Sequence, residues 1–560
     1  MRKELFGVFG DRDAFDDLRA SEFFDRVVDG TGVTAGVRDS ALGYHGRTSV
    51  HADDGPACVV WGEAFAPDDS DAADAAAWLS RAFRDRGRAA FDGLNGSYVA
   101  VVDGDPPVVA TDQARTWECF YADTPAGRVF GTDPAAVARA LPEDDRTVLD
   151  DALTEFVLLG VVLGDRTVLG GVDRVPFDGY LEPGGVGALD RFVYDHREFD
   201  YAAELADRLR AAFDRRGNLP GESGLLLSAG YDSRTALTGV PDVETCYTVG
   251  EPDADEVRVA ERIASQYGAR HETLVADERY VITDPETTQF GLGVKESLHV
   301  HHGGHTDEMG ADSIYHGLLF DTFLRGYFLP LDAVELFGRR LPRQRLEPDP
   351  DVAATVASKF GYHPEFVDAV PECSRVPDDA MAFVRNAVDR ELGKLDDRYD
   401  SIHDGAALFG IQNQPTMPFR LHLADNFVES FVAADAGLVD WHLSTPPEHR
   451  NDETYCEALK QFDADVLRHN PPDRPHSTYR RNQISKFLHE TVPGLEPYQS
   501  PLPNRDELYD RHDYDDVLLP GHGSLHGLPA RLKLRLNDAR NWLELATEDR
   551  SWTPHSVLCP

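Results

Sequence analysis

The chain has 560 residues, with 55 lysines and arginines against 99 aspartates and glutamates, for a formal charge of −44. So acidic a surface repels nucleic-acid phosphates and stays hydrated in concentrated salt, which excludes nucleic acid as a partner. No stretch approaches the ~20 apolar residues of a spanning helix, MRKELFGVFG is too short an apolar run for a signal peptide, and six cysteines (58, 119, 246, 373, 456, 559) without paired spacing predict a reducing cytoplasm, no disulfide framework and no zinc knuckle.

In chain order, residues 1–197 predict a domain rich in short strands: Leu5–Phe9, Ala57–Trp61, Tyr98–Val102, Val108–Thr111 and Val129–Gly131. Ala73–Arg84 and Pro134–Ala140 read as helices between them. Asp150–Asp173 reads as a helix up to Gly160 followed by a hairpin-like run. The Gly/Pro-rich stretch Val175–Tyr194 then places a domain boundary near 195–200.

A helix over Tyr201–Arg215 leads to GLLLSAGYDSRTALTG at 224–239. Leu225–Leu227 reads as strand, Ser228–Ser233 as a tight loop, and the residues from Arg234 as helix. Unpaired N–H groups at a helix start, together with its dipole, attract phosphate. Gly230 lets an anion approach the backbone, Ser228 and Ser233 offer hydroxyls, and Asp232 would repel phosphate unless a divalent cation lay between them. The loop therefore predicts a nucleotide with magnesium. An ordinary strand-to-helix turn with a serine cap accounts for the same residues, and no GxxxxGK[ST] loop occurs anywhere.

Tyr247–Leu274 predicts a strand ending at Gly250, a helix with apolar Val257, Val259, Ala260, Ile263 and Ala264, and a strand after Gly268. A third turn of this kind lies at Ser313–Tyr327. Between them, His299, His301, His302 and His305 with Asp307 and Glu308 lack HExxH or finger spacing, which favours a polar loop over a dedicated metal site. Leu331–Asp397 shows short helical patterns suited to a lid or insertion, and Ala406–Lys460 reads as helical. Residues 501–560 predict a loop and one helix, Pro529–Thr547, packing on the second domain.

SAGYDS at 228–233, TVG at 248–250 with Asp255-Glu256, and HGLLFDTFLRGY at 316–327 together resemble the synthetase domain of the asparagine synthetase family. WGEAF (61–65), LNGSYVAVVDG (94–104), ATDQARTWECFYA (110–122) and VFGTDPAAV (129–137) resemble, in order, the glutamine amidotransferase domain that precedes it. The resemblance implies an Ntn-like αββα sandwich over 1–197. For 198–500 it implies a pyrophosphate-loop α/β domain, of the adenine nucleotide α-hydrolase type, with a parallel sheet covered by helices on both faces. It implies ATP as cofactor, contacted by Leu227, Ser228, Ala229, Gly230, Tyr231, Asp232, Ser233, Val249, Gly250, His316 and Gly317. Asp232 and Asp321 would be the catalytic pair and hold Mg2+. The implied reaction is adenylation of a carboxylate with release of pyrophosphate, followed by attack of an amine or ammonia. The alternative is a nucleotide-binding pseudoenzyme or assembly partner, and self-association into a homodimer stays open.

Two departures matter. Leu318 stands where the family has a glutamate that positions the acyl acceptor, and leucine can neither hydrogen-bond nor carry a proton. Arg2 stands where the family's glutaminase has its nucleophilic cysteine. The expectation is thus a ligase without glutaminase activity, with basic candidates Arg480, Arg481 and Lys486 for the family lysine that faces the pyrophosphate.

Overall fold

Along the strand Cys58–Phe65, successive side chains point to opposite faces and all eight residues are buried, so this strand needs cover on both sides. A computed structural model, describing residues 1–53 and 55–560, shows how that cover is supplied. Twelve strands make up the first half: β1 (Glu4–Val8), β2 (Arg26–Asp29), β3 (Thr34–Arg38), β4 (Ser49–His51), β5 (Cys58–Phe65), β6 (Asn95–Val102), β7 (Val108–Thr111), β8 (Phe120–Thr124), β9 (Gly127–Gly131), β10 (Asp173–Arg174), β11 (Gly179–Glu182) and β12 (Gly185–Ala188). They form two antiparallel sheets in the orders β10-β8-β9-β1-β3-β2 and β12-β11-β7-β6-β5-β4. Leu5, Phe6 and Val8 meet Val59, Trp61, Val99, Val101 and Val109 in the core between the sheets. Cys58, Val60, Tyr98 and Ala100 face the other way, beneath the helix Ala75–Arg86. Helices Arg12–Leu18 and Pro134–Arg139 cover the outer face of the first sheet, which completes an αββα sandwich.

The second half is organised on a five-stranded parallel sheet. Its strands are β13 (Ser223–Leu226), β14 (Thr245–Gly250), β15 (Arg270–Val275), β16 (Ser313–Tyr315) and, after a separate two-stranded hairpin of β17 (Leu331–Leu336) and β18 (Arg339–Leu346), β19 (Val428–Ser430). The order is β15-β14-β13-β16-β19. Leu225, Leu227 and Cys246 face a core with the helices Tyr201–Arg216, Tyr231–Gly239 and Asp255–Gln266. Leu226, Tyr247, Val249 and Ile314 face the opposite side and join the core of the first half. The chain moves outward from β13 to β14 and β15, then returns to lay β16 on the other side of β13. The direction of winding reverses between β13 and β16, and in open α/β sheets a ligand crevice forms at such a reversal, outside the carboxyl ends of the strands.

Four expectations are revised. The stretch read as helical over 406–460 contains β19, whose Glu429 is held by buried partners. The segment after Leu331 opens with a hairpin, turned by Phe337 and Gly338 at φ of 53° and 72°, instead of helix. The C-terminal helix, Ala530–Thr547, bridges both halves: Arg535 Nη1 donates to the carbonyls of Val157 and Leu158 at 3.2 and 2.9 Å, while Asp538 accepts from Ser297. Finally, Cys373 and Cys559 form a disulfide across 186 residues, a pairing that sequence spacing gave no sign of. No helix among the described residues is long and apolar enough to cross a membrane.

Candidate functional site

The turn after β13 is built by its own hydroxyls. Ser233 Oγ accepts from the Ser228 N–H at 2.9 Å and donates to the Ser228 carbonyl at 3.0 Å. Ser228 Oγ accepts from the Gly230 N–H at 3.1 Å, and the Ala229 N–H donates to Glu256 Oε1 at 2.7 Å. Burial pushes the Glu256 carboxyl up to about 7. Arg234 fastens the loop from behind, donating to the carbonyls of Gly230, Ala229, Val466 and His469. The helix starts at Tyr231, three residues earlier than its apolar pattern suggested, so Asp232 and Ser233 lie in the first turn. Gly230 is its N-cap and has no side chain to satisfy the first N–H groups.

The turn after β16 closes on this loop. A Cβ on Gly317 would lie 2.4 Å from the Asp232 carbonyl carbon and 2.6 Å from the Ser233 nitrogen, so only glycine lets the two turns touch. Leu227, Ala229, Ser233, Val249 and Gly250 are buried around them. His316 is not presented to this crevice. Its Nδ1 lies 3.3 Å from the Leu318 N–H and its Nε2 lies 2.9 Å from Glu429 Oε1. Burial alone would raise the Glu429 carboxyl, but Arg420 and His316 hold it down at about 2. The same region joins the halves, because Arg47 Nη1 donates to the Glu429 carbonyl at 2.9 Å and Glu63 accepts from Ser430 Oγ at 2.8 Å and the Phe431 N–H at 3.0 Å.

Asp232 and Asp321 are brought near one another, with an arginine against the first. Arg325 Nη1 donates to both oxygens of Asp232 at 2.9 Å, and its Nε donates to Asp452 Oδ1 at 2.7 Å. Arg474 Nη1 takes the other Asp452 oxygen at 3.3 Å. The guanidinium groups of Arg234, Arg325 and Arg474 each lie 5.4 Å from the centre of the Tyr231 ring. Burial pushes the Asp232 carboxyl up to about 6 in spite of Arg325, and the Asp321 charge adds to the rise. Asp321 Oδ1 accepts from Thr322 Oγ1 at 3.2 Å, and Thr322 Oγ1 in turn accepts from Gln414 at 2.9 Å. A magnesium ion needs free oxygen ligands. With both oxygens of Asp232 committed to a guanidinium, the pair does not fit a protein-held magnesium.

Asp321 and Arg325 open onto a cleft of about 730 Å3. Hairpin β17–β18 forms one wall, and Lys359, Asp452, Arg474 and Tyr479 contribute to the rest. Lys359 Nζ sits 4.3 Å from the centre of the Tyr327 ring, and burial lowers its amine below the usual lysine range. Arg480, Arg481 and Lys486 are exposed and do not line the cleft, whose cations are Arg325, Arg340, Arg345, Lys359, Arg450 and Arg474. Leu318 packs against the second core and offers the cleft no polar group.

Neither remaining sequence candidate forms a metal or glutamine site. His302 is buried and His299 and His301 are half-buried beside a separate cavity of about 430 Å3, all three with pKa values lowered by desolvation, and no metal-competent cluster among the described residues includes them; the Cys373, His555 and Cys559 group has its two sulfurs tied up in the disulfide. At the N-terminus, Lys3, Trp61, Trp117, Glu118 and Asp425 surround a cavity of only about 10 Å3. The Arg2 and Lys3 N–H groups donate to Asp425 at 2.6 and 2.8 Å, and the Lys3 amine lies 5.4 Å from the Trp61 ring centre.

No protein-family model matches the chain, and no curated protein matches it. Among solved structures, one described as the allosteric regulatory enzyme of purine biosynthesis aligns over 75% of this chain and 98% of its own, at 11% identity and a TM-score of 0.23. A glutamine phosphoribosylpyrophosphate amidotransferase from B. subtilis, complexed with ADP and GMP, aligns over 75% and 94% at 10% identity, also with a TM-score of 0.23. Superpositions this loose carry no argument about fold, activity or ligands.

Proposed function

We propose that the chain is an asparagine synthetase-like, ATP-dependent ligase whose amidotransferase-like first half releases no ammonia from glutamine. The observation that carries this reading is the meeting of the β13 and β16 turns at the reversal of the sheet, with Asp232 and Asp321 in electrostatic contact beside a large cleft. In this reading ATP lies across the Ser228–Ser233 turn with its phosphates toward Arg325 and Arg474. A carboxylate in the cleft attacks the α-phosphorus, the bond to the bridging oxygen breaks, and pyrophosphate leaves. An amine or free ammonia then attacks the acyl carbon and AMP departs. Arginines aimed at the phosphates stabilise the charge that develops there.

The small size of the N-terminal cavity supports the loss of glutaminase activity. A space of about 10 Å3 holds at most one water, not a glutamine side chain. Cys58 and Cys119 are buried, and burial raises both thiols far from the reactive range.

The second reading, a nucleotide-binding partner without ligase activity, is favoured by Leu318 and by the engagement of Asp232 with Arg325. Pyrophosphate release separates the two. Purified protein in high KCl with ATP and a panel of carboxylic acids should liberate pyrophosphate, and Arg474→Ala should reduce it ~100-fold or more, the scale of losing a donor aimed at the charge that develops in a transition state. ATP binding without release for any acid would favour the second reading.

A further inference from the structure

We propose that Arg325 stands in for a divalent cation, so that the cleft binds the phosphate chain of a nucleotide on guanidinium groups and without metal. The inference rests on the reading of the cleft as a nucleotide site. Arg325 is fixed at both ends of its fork, by Asp232 through Nη1 and by Asp452 through Nε. Its side chain is only 9% exposed and lies between the rings of Tyr231 and Tyr455, 5.4 and 5.7 Å from their centres. It is therefore part of the built site and not a surface arginine passing through it. Nη2 makes no hydrogen bond with the described residues, which leaves that edge of the guanidinium for a ligand.

The charges of the cleft do not oppose this assignment. Arg325 and Arg474 are balanced by Asp232 and Asp452. Lys359, Arg340 and Arg345 line the same cleft outside any ion pair among the described residues, and so do Asp321, Glu347 and Glu448, with Asp321 acting on the Lys359 amine. The cleft is thus close to balanced, and what selects an anion there is the orientation of the Arg325 donors. An arginine presents fixed, planar donors that match phosphate oxygens, whereas a metal ion would need Asp232 released first.

The test is ATP binding by calorimetry, at constant KCl, in EDTA and in magnesium. The proposal expects affinities within about threefold of each other, since the site's positive charge is covalent. Arg325→Ala should lose ~10-fold or more in EDTA, the usual scale for a charged hydrogen bond. Magnesium should restore part of that loss, because Asp232 is then free. If Arg325→Ala does not fold, Arg325→Lys keeps the charge but not the fork and should still weaken binding in EDTA. Titration of wild-type protein with Mn2+, followed by the resonance of the free ion, should find no site at Asp232–Asp321 and needs no variant. Binding of ATP only with magnesium would overturn the proposal and leave the nucleotide reading standing, as would Arg325→Ala binding like wild type in EDTA. Failure to bind ATP in either condition would overturn the nucleotide reading itself, and the proposal with it.

Discussion

Replacing Glu118 by alanine strands two buried cations at the joint between the halves. Glu118 lies in the first half, 3% exposed, and accepts from Lys295 Nζ of the second half at 2.6 Å and from Arg174 Nη1 at 3.4 Å. Glu118 is the only carboxylate in ion-pair contact with either cation among the described residues, with Asp165 acting on Arg174 from further away, whereas the neighbouring Arg115 keeps a direct contact to Asp165. Removing one member of a buried pair costs about 3–5 kcal/mol, because the partner remains desolvated and uncompensated. That is a factor of a few hundred to a few thousand in the folding equilibrium. The assay is urea unfolding of wild type and Glu118→Ala at low and high KCl. Buried charges are little screened, so the gap should persist at high salt. Burial alone would raise the Glu118 carboxyl, but Lys295, Arg115 and Arg174 hold it well below its ordinary 4.5. Its contribution is thus present above that value and is lost as pH falls below it, so the two proteins should converge in acid. Equal stability at neutral pH, or a gap that closes in high KCl, would refute the reasoning.

Gly317→Ala should weaken ATP binding ~10-fold or more, measured by calorimetry, because the new methyl forces the two turns apart where they touch. Metal-free ATP affinity should rise as pH falls through about 6, since protonation of Asp232 loosens its hold on Arg325, and a flat profile would speak against that contact. The same group contributes to folding fully below its ordinary 3.8, and that contribution fades as pH rises through about 6. Reduction of Cys373–Cys559, or Cys559→Ser, should lower stability by about 3–5 kcal/mol given a closed loop of 186 residues, and unchanged melting curves would contradict it.

What the sequence made legible is what short stretches encode. The loop at 228–233, the strand over 108–111 and the helices near 75–86 and 201–216 each carry their signal within a dozen residues. β19 did not, because three residues between helices are too few to show alternation. The β17–β18 hairpin was hidden by its charged strands and by Phe337 at a turn position where Asn or Gly is the familiar sign. The site residues missed by sequence, Arg325, Asp452 and Arg474, act through partners 22 to 127 positions away. Arg325 stood inside the third motif, and a cation two residues from its closing tyrosine was the one local hint. The resemblance of the third motif puts His316 beside the nucleotide, and Glu429, the residue its ring pairs with, lies 113 residues further on and leaves no local sign.

The most direct measurement is amide hydrogen exchange with and without saturating ATP. The account predicts new protection in both of two stretches, 228–239 and 316–326, which lie on different strands and meet only in the folded crevice. Protection in just one of the two, or in neither, would contradict a nucleotide held between them.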